Sequence, residues 1–233
     1  MKTNALLLSV AVSGYAFADT ATFDFETAVE EFSEITIEST AIDFTDPTAA
    51  FSSIQLGYNN AGFDTGIGYA KGLNDRWAGL VFAQTLTSFD AYRVRAAALS
   101  TSFGTGVMGD YMYDSENDGH TMLLNALQIL PIHESVLIAP VLGVGAMSSE
   151  ELESHVPLAM IQLYNVLKVT HNLSLMVTPV YTQSLSDKHI KISTLDWETN
   201  LSYRLNGNQN ISINYSVYEQ ADSSFGIHYT YAL

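Results

Sequence analysis

Charged residues of this chain occur in pairs two positions apart. Arg93 and Arg95 form one pair, and Asp196 and Glu198 form another. Successive side chains of a β-strand point to opposite faces, so residues two apart share a face. Because charge is costly to bury unless it is paired or hydrated, such a face predicts an ion-pair cluster or a water-filled space.

Partners of opposite charge follow the first pair along the chain. A turn about Phe103 and Gly104 would place Arg95 opposite Met112, with two aspartates one step away. We interpret these charges as structural ion pairs, with a role in ion selectivity as the alternative. The predicted clusters are Arg93, Arg95, Asp110 and Asp114, and then Asp196, Glu198 and Arg204, with Asp64 as a further inward-facing acid.

Residue types for hydrolysis and metal binding are present but poorly spaced. Ser154 and His155 are adjacent, so on a strand they would face opposite sides. The run Ser186-Asp187-Lys188-His189 has the same types without a recognisable motif. His120, His155 and His189 would start strands that are separated by intervening strands, about 10 Å apart. We therefore predict no catalytic residues, no metal and no cofactor.

Strict alternation in the last third of the chain predicts the strands that carry these charges. Large apolar residues at Phe225, Ile227, Tyr229, Tyr231 and Leu233 alternate with small or polar ones. The stretches 209–219 and 190–205 alternate in the same way. A period of two is the signature of strands that have one apolar and one polar face.

The start of the chain predicts export. Lys2, the apolar run Ala5 to Val12 and the small residues Ala16 and Ala18 resemble a signal peptide cleaved after Ala18. The chain has no cysteine, so an exported domain needs a source of stability other than disulfides. The predicted domains are the signal peptide 1–18, an acidic segment 19–50 and a strand-rich body 51–233.

Turn residues divide the body into about 12 strands, with 10 to 14 as the range. With the N-terminus in the periplasm, the longer acidic connections fall outside and the tight turns inside. Twelve strands about 4.8 Å apart and tilted about 40° would close a cylinder about 24 Å wide, leaving roughly 10–14 Å between side chains. The strands are predicted near 51–58, 63–71, 76–87, 91–102, 105–114, 120–130, 135–147, 155–168, 172–183, 190–205, 209–219 and 223–233.

The C-terminal pattern resembles the signal of bacterial outer-membrane β-barrels that their insertion machinery recognises, although such signals usually end in Phe rather than Leu233. The resemblance implies an all-β, antiparallel transmembrane β-barrel in the outer membrane of a Gram-negative bacterium. It also implies the insertion machinery, outer-membrane lipid and lipopolysaccharide as partners. The acidic balance, 25 acidic against 9 basic residues, argues against nucleic acid as a partner.

Two features predict either that part of the lumen is filled or that some strands pack against another element. Several strands, near 76–87, 120–130, 135–147 and 155–168, are apolar on both faces, which usually means that both faces are covered. Gly66, Gly68, Gly143 and Gly145 are predicted to face inward and leave room for a close partner.

The acidic segment 19–50 is one candidate for that partner. It has nine acids and no Lys or Arg, and Ala28, Val29, Phe32 and Ile35 share one face if it is helical. A lumen plug is one interpretation of this segment, and a disordered periplasmic tail is the other.

The sequence thus favours a small passive channel for small solutes with a preference for cations. A non-conducting structural or partner-binding barrel with a filled lumen is the alternative, and a membrane-lipid hydrolase is the second alternative. The sequence leaves the solute and the oligomeric state open.

Overall fold

The computed structural model describes residues 51–86, 89–100, 102–150, 152, 155–186 and 191–233. The predicted signal peptide and the acidic segment 19–50 lie outside the described residues, so the domain division remains a prediction. Within the described part, the chain is built from antiparallel strands, and no helix is long and apolar enough to span a membrane.

Thirteen strands follow one another along the described chain. They are β1 Ser53–Asn59, β2 Gly62–Asn74, β3 Trp77–Leu86, β4 Ala91–Ser100, β5 Thr105–Asp114, β6 Gly119–Gln128, β7 Leu130–His133, β8 Val136–Ser148, β9 Val156–Lys168, β10 Leu173–Ser184, β11 Ser193–Asn206, β12 Gln209–Val217 and β13 Ser224–Ala232.

The sheet closes on itself. Strands that follow each other in the chain pair, except β6 with β7; β1 also pairs with β13, and β6 pairs with β8. The closed ring has twelve strands, and β7 is the one extra strand. The prediction of an all-β antiparallel barrel with about 12 strands is confirmed.

The extra strand is a continuation of β6. Leu127 pairs with Val141, and Leu130 pairs with Ile138, so both segments keep one register against β8. The interruption at Gln128 and Ile129 lies opposite Pro140, whose nitrogen carries no hydrogen. Because proline cannot donate to the ladder, the pairing stops there and resumes two residues later.

Strand register fixes the width of the barrel. Followed once around the ring, the pairings add up to a shear of about 14 residues. For twelve strands this shear corresponds to a tilt of about 40° and a backbone diameter of about 22 Å. The observed ring therefore agrees with the size expected from the sequence.

Alternation separates two faces on most strands. In β4, Arg93 and Arg95 are buried and inward-facing, whereas Tyr92 and Val94 are exposed on the outside. In β13 the residues Phe225, Ile227, Tyr229, Tyr231 and the following Leu233 lie on the outer, apolar face. An apolar outer surface and a polar or packed interior are the pattern of barrels in a bilayer.

The two ends of the barrel differ in their connections. The terminal end, which holds Phe51 and Leu233, has short connections at 75–76, 101–104, 134–135, 169–172 and 207–208. The opposite end, called the long-loop end below, has connections at 60–61, 87–90, 115–118, 149–155, 185–192 and 218–223. Short turns at the end that carries the termini agree with the predicted asymmetry.

Candidate functional site: the barrel lumen

An ion-pair cluster of β4 and β5 projects into the lumen. The Arg93 Nε donates to Asp110 Oδ1 over 2.8 Å, its Nη2 contacts Oδ2, and the Arg95 Nη2 lies 3.2 Å from Oδ2. All three residues are buried. One carboxylate thus holds two guanidinium groups, which is the charge-assisted pairing that a buried position requires.

The register of this hairpin differs from the prediction. Arg95 pairs with Asp110 and Arg93 with Met112, two residues away from the expected pairing of Arg95 with Met112. The cause is the turn, because Gly104 lies after its centre in a left-handed conformation with φ 62° and donates to the Ser100 carbonyl. The shift places Asp110, rather than Met112, directly beside Arg95.

Asp114 is not part of this cluster. It lies at the end of β5, where its carboxylate accepts hydrogen bonds from the Glu116 backbone and the Asn117 amide, both at 2.9 Å. It therefore shapes the turn at the long-loop end. The predicted four-residue cluster is a cluster of three in the structure.

The second predicted set, on β11, is distributed along the lumen. Asp196 accepts a hydrogen bond from the Glu219 backbone near the long-loop end. Arg204 donates to the His171 carbonyl over 2.8 Å and to the Asn172 side chain over 3.3 Å near the terminal end. The three residues share the inward face of β11 but do not form one contact group.

Glu198 faces the lumen from the side opposite Arg93. β11 and β4 lie on opposite sides of the twelve-strand ring. Glu198 and Arg93 are both buried on the inward faces of their strands. Charged groups of both signs thus point into the lumen from opposite walls.

A polar network on β11, β12, β13, β1 and β2 lines one side of the lumen. The Asn59 amide donates to Asp64 Oδ2 over 2.7 Å, and His228 Nε2 lies 3.2 Å from the same oxygen. On its other side, His228 Nδ1 contacts the Asn214 amide, whose oxygen accepts from Asn200. The Asn200 bond orients the Asn214 amide, so His228 accepts at Nδ1 and donates from Nε2 to Asp64.

Gly57 makes room for this network. A Cβ atom at Gly57 would lie 1.8 Å from the His228 ring. Sequence reasoning identified Asp64 as an inward acid but missed Gly57, Asn214 and His228. The sequence does show that these residues lie on the small or polar faces of alternating strands. It does not show which of them meet across neighbouring strands.

The network borders a small cavity of about 40 Å³ in the half of the lumen toward the long-loop end. Glu198, Asn200, Ser216, Gln84 and His228 are among the residues that line it. Tyr218, which is buried, also lines this cavity.

The opposite side of the lumen, formed by β6 and β8–β10, is apolar. We call it the apolar wall; it comprises Leu123, Val141, Leu158, Met160 and Val180, all of them buried. Among the polar side chains on this wall, Asn125, Gln162 and Thr178 are buried without hydrogen-bond partners among the described residues. The strands that were apolar on both faces in the sequence thus form one packed side of the interior.

The inward glycines have neighbours within the barrel. A Cβ atom at Gly66 would lie 2.6 Å from the Phe82 ring, and one at Gly143 would lie 2.1 Å from Asn125 Oδ1. The side chains of Phe82 and Asn125 therefore take part of the space that was expected for a separate partner.

Of the three predicted rim histidines, His120 and His155 lie in the part of the chain that the structure describes. His120 lies 2.9 Å from the Tyr111 hydroxyl and 3.7 Å from Asp118. No group of three His, Cys, Asp or Glu side chains in the described residues could hold a metal ion. Ser154 and residues 187–190, which include His189, lie outside the described residues, so the hydrolase candidates are not brought together in the part that the structure describes.

Charge is distributed unevenly between the two ends. The terminal end carries Lys71, Arg76, Lys168 and Arg204 against Asp75 and Glu134. In the described residues, the long-loop end carries Asp90, Asp114, Glu116, Asp118, Glu150, Glu219 and Asp222 against Lys191. The barrel therefore has one acidic and one basic end.

Solved structures share this architecture at low sequence identity. The NanC porin has 11% sequence identity to this chain, and its structure aligns with a TM-score of 0.56. The alignment covers 78% of this chain and 100% of the porin chain. An outer-membrane channel from Pseudomonas putida F1 is 10% identical over 79% of this chain and 96% of that chain, with a TM-score of 0.57. The β domain of the Bordetella autotransporter BrkA is 11% identical over 79% of this chain and 100% of that chain, with a TM-score of 0.53.

These similarities concern the fold. No family model and no curated protein matches the chain. The chain has the closed antiparallel barrel of Gram-negative outer-membrane proteins, and the similar structures include porins and channels as well as an autotransporter domain. The prediction of an outer-membrane type of β-barrel is thus confirmed.

Proposed function

We propose that this protein is a passive channel for small solutes in the outer membrane. The observation that carries the proposal is the polar side of the lumen, where a small cavity of about 40 Å³ is lined by amides, hydroxyls and carboxylates inside a closed barrel with an apolar exterior. A hydrogen-bonding lining allows hydrated solutes to exchange contacts with water for contacts with the wall. The similarity to porins and channels supports the same proposal.

The width of the ring limits the solutes. A backbone diameter of about 22 Å, less the side chains on both walls, leaves roughly 10–14 Å at most. The buried side chains of the apolar wall narrow this space further. We therefore propose solutes of the size of mono- and disaccharides or amino acids rather than folded proteins.

We also propose that cations are preferred. The lumen contains four inward-facing acids, which are Asp64, Asp110, Asp196 and Glu198. Three inward-facing arginines, Arg93, Arg95 and Arg204, partly balance their charge. The long-loop end adds further acids, and its potential would attract cations before they enter. The proposed orientation has this acidic end outside the cell and the basic terminal end in the periplasm, with lipopolysaccharide around the outer half of the barrel.

A liposome-swelling assay tests the channel function. Liposomes that contain the refolded barrel, residues 51–233, should swell in isotonic solutions of monosaccharides and less in those of trisaccharides, because the lumen is narrow. Liposomes that contain the same protein after heat denaturation are the control. Equal swelling rates in both preparations, with folded protein shown by its strand signal, would contradict the proposal.

The apolar wall favours a second candidate, a non-conducting barrel whose filled interior serves structure or partner binding. Leu158, Val180 and Thr178 are completely buried, as in the core of a soluble domain. This candidate predicts no solute uptake by the folded barrel, with or without the segment 19–50. The swelling assay therefore distinguishes the two functions.

A further inference from the structure

A histidine stands at the centre of the polar side of the lumen. Of the histidines in the part of the chain that the structure describes, only His228 lies on the inward face of the closed ring. Its side chain is 15% exposed and borders the small cavity together with Asp64 and Glu198. Because imidazole is the side chain that ordinarily changes charge between about pH 5 and 8, a proton at this position would change the charge of the cavity wall.

The ring of His228 is held on three sides. Its Nε2 lies 3.2 Å from Asp64 Oδ2, and its Nδ1 contacts the Asn214 amide. A Cβ atom at Gly57 would lie 1.8 Å from the ring, so the ring lies closely over the backbone of β1. The ring therefore has little room to turn when its protonation changes.

The neutral ring completes a series of hydrogen bonds that all run in one direction. Asn200 Nδ2 donates to Asn214 Oδ1, and the Asn214 amino group donates to His228 Nδ1. His228 Nε2 then donates to Asp64. A carboxamide accepts only at its oxygen and donates only from its nitrogen, so the orientation of each amide depends on the next group in the series.

Protonation of the ring conflicts with this direction. It places a hydrogen on both ring nitrogens, so that Nδ1–H would face the amino group of Asn214, and two donors cannot form a hydrogen bond. A half-turn of the Asn214 amide brings its oxygen to Nδ1 but turns its amino group toward the amino group of Asn200. The Asn200 amide must then make the same half-turn. We call this coupled turning of Asn214 and Asn200 the amide relay.

The surroundings of His228 determine what its charge would do. The charged or titratable groups that line the cavity with it are Asp64 on β2, Glu198 on β11 and Tyr218 on β12. The neighbouring β1 and β3 contribute the uncharged Asn59 and Gln84. A positive charge on His228 would thus offset one of two carboxylates that border the cavity and reduce the attraction for cations.

We propose that the protonation of His228 regulates the cation preference of the channel. With the ring neutral, the two carboxylates determine the charge of this side of the lumen. With the ring protonated, His228 offsets Asp64 and drives the amide relay, so this side attracts cations less. The regulation rests on the proposed channel function, whereas the amide relay does not depend on conduction.

Nuclear magnetic resonance tests the amide relay without ion flow. The protein is isolated from outer membranes as the cell processes it, and the side-chain signals of Asn200, Asn214 and His228 are followed from about pH 8 to about pH 5.5. Both amide signals should shift with the same midpoint as the His228 ring. Both should stay fixed in His228→Gln, because a glutamine side chain can accept from Asn214 and donate to Asp64 throughout this range. Amide signals that do not follow the ring would overturn the relay.

The reversal potential in a KCl gradient tests the regulation. It is measured at about pH 8 and about pH 5.5, where unperturbed carboxyl groups remain mostly ionised. The ratio of cation to anion permeability should fall about five-fold at the lower pH, the effect of one unit charge about 4 Å from an ion in water. His228→Gln should keep the ratio of the higher pH at both values. An equal pH response in His228→Gln and in the unaltered protein would overturn the proposal.

A control variant and the two readouts separate this inference from the proposed function. His120→Gln removes a histidine from the outer face of β6 and should respond to pH like the unaltered protein. Folded protein without conductance would contradict the channel function, while the amide signals would still decide the relay. Steady conductance with the same permeability ratio at both pH values would leave the channel function intact and overturn the role of His228.

Discussion

At the residue scale, the lumen is organised by side chains that orient one another across strands. Asn200, Asn214, His228, Asp64 and Asn59 form a continuous series of contacts over five strands. The hydrogen bond from Asn200 orients the amide of Asn214, and Asn214 and Asp64 together hold the His228 ring in one tautomer. Such a series provides fixed donors and acceptors at the edge of the cavity.

Gly57→Ala tests this network. The added methyl would meet the His228 ring at 1.8 Å, so the ring must turn away and lose its contacts with Asp64 and Asn214. We expect the free energy of unfolding to fall by about 1–3 kcal/mol, the usual cost of leaving buried polar groups unpaired. Urea unfolding of the barrel in detergent measures it.

Gly72→Ala is the matched control. It lies on the neighbouring strand β2, and no atom lies within 4 Å of its added Cβ. Its free energy of unfolding should change little. Equal losses in the two variants would show that His228 is not held by the network.

At the element scale, two prolines shape the ladder of the longest strands. Pro140 interrupts the pairing of β6 with β8, which separates β7 from β6. Pro179 interrupts the pairing of β10 with β9 opposite Leu163. There the Asn165 side chain donates to the carbonyls of Leu163 and Val177, both at 3.0 Å. A side-chain amide thus supplies the hydrogen bond that proline cannot make.

A double-mutant cycle tests this compensation. Asn165→Leu removes the donor and should cost about 1–3 kcal/mol, because the Leu163 carbonyl is left unsatisfied on a surface that faces lipid. In the Pro179→Val background, the backbone N–H returns, and the same substitution should cost much less. Equal costs in both backgrounds, measured by urea unfolding, would show that Asn165 does not replace the proline donor.

The elements also show what the sequence could and could not predict. The alternation of apolar and polar residues along β4, β11 and β13 predicted their inward and outward faces, because one face of each strand is clearly apolar and the other is polar. The pairing of Arg95 with Asp110 was missed because it depends on the conformation of Gly104, which no pattern reveals. The His228 network was missed because its members are far apart in sequence and meet only when β1 closes on β13.

At the scale of the whole molecule, the proposed preference for cations rests on the negative charge of the long-loop end and of the inward acids of β11. The arginines of β4 oppose it but share their charge with Asp110. The proposed selectivity thus depends mainly on Asp196 and Glu198, which lie between the acidic end and the middle of the lumen.

The paired change Asp196→Asn with Glu198→Gln should weaken the preference for cations. A unit charge about 4 Å from a hydrated ion contributes about 1 kcal/mol in water, so each neutralisation should change relative cation occupancy by about five-fold. The reversal potential of the barrel 51–233 in a KCl gradient measures it. Glu134→Gln, in a turn at the terminal end, is the control and should leave the reversal potential unchanged. An unaltered reversal potential in the paired variant would exclude Asp196 and Glu198 as the source of selectivity.

The most direct measurement of the central claim is single-channel conductance in planar bilayers. The refolded mature chain 19–233 is compared with the barrel 51–233, both shown to be folded. We predict steady, cation-biased conductance from the barrel 51–233, because its lumen has a polar side with inward-facing acids. The mature chain shows whether the segment 19–50 changes that conductance. Silence from both folded proteins would contradict the channel function and favour the filled, non-conducting barrel.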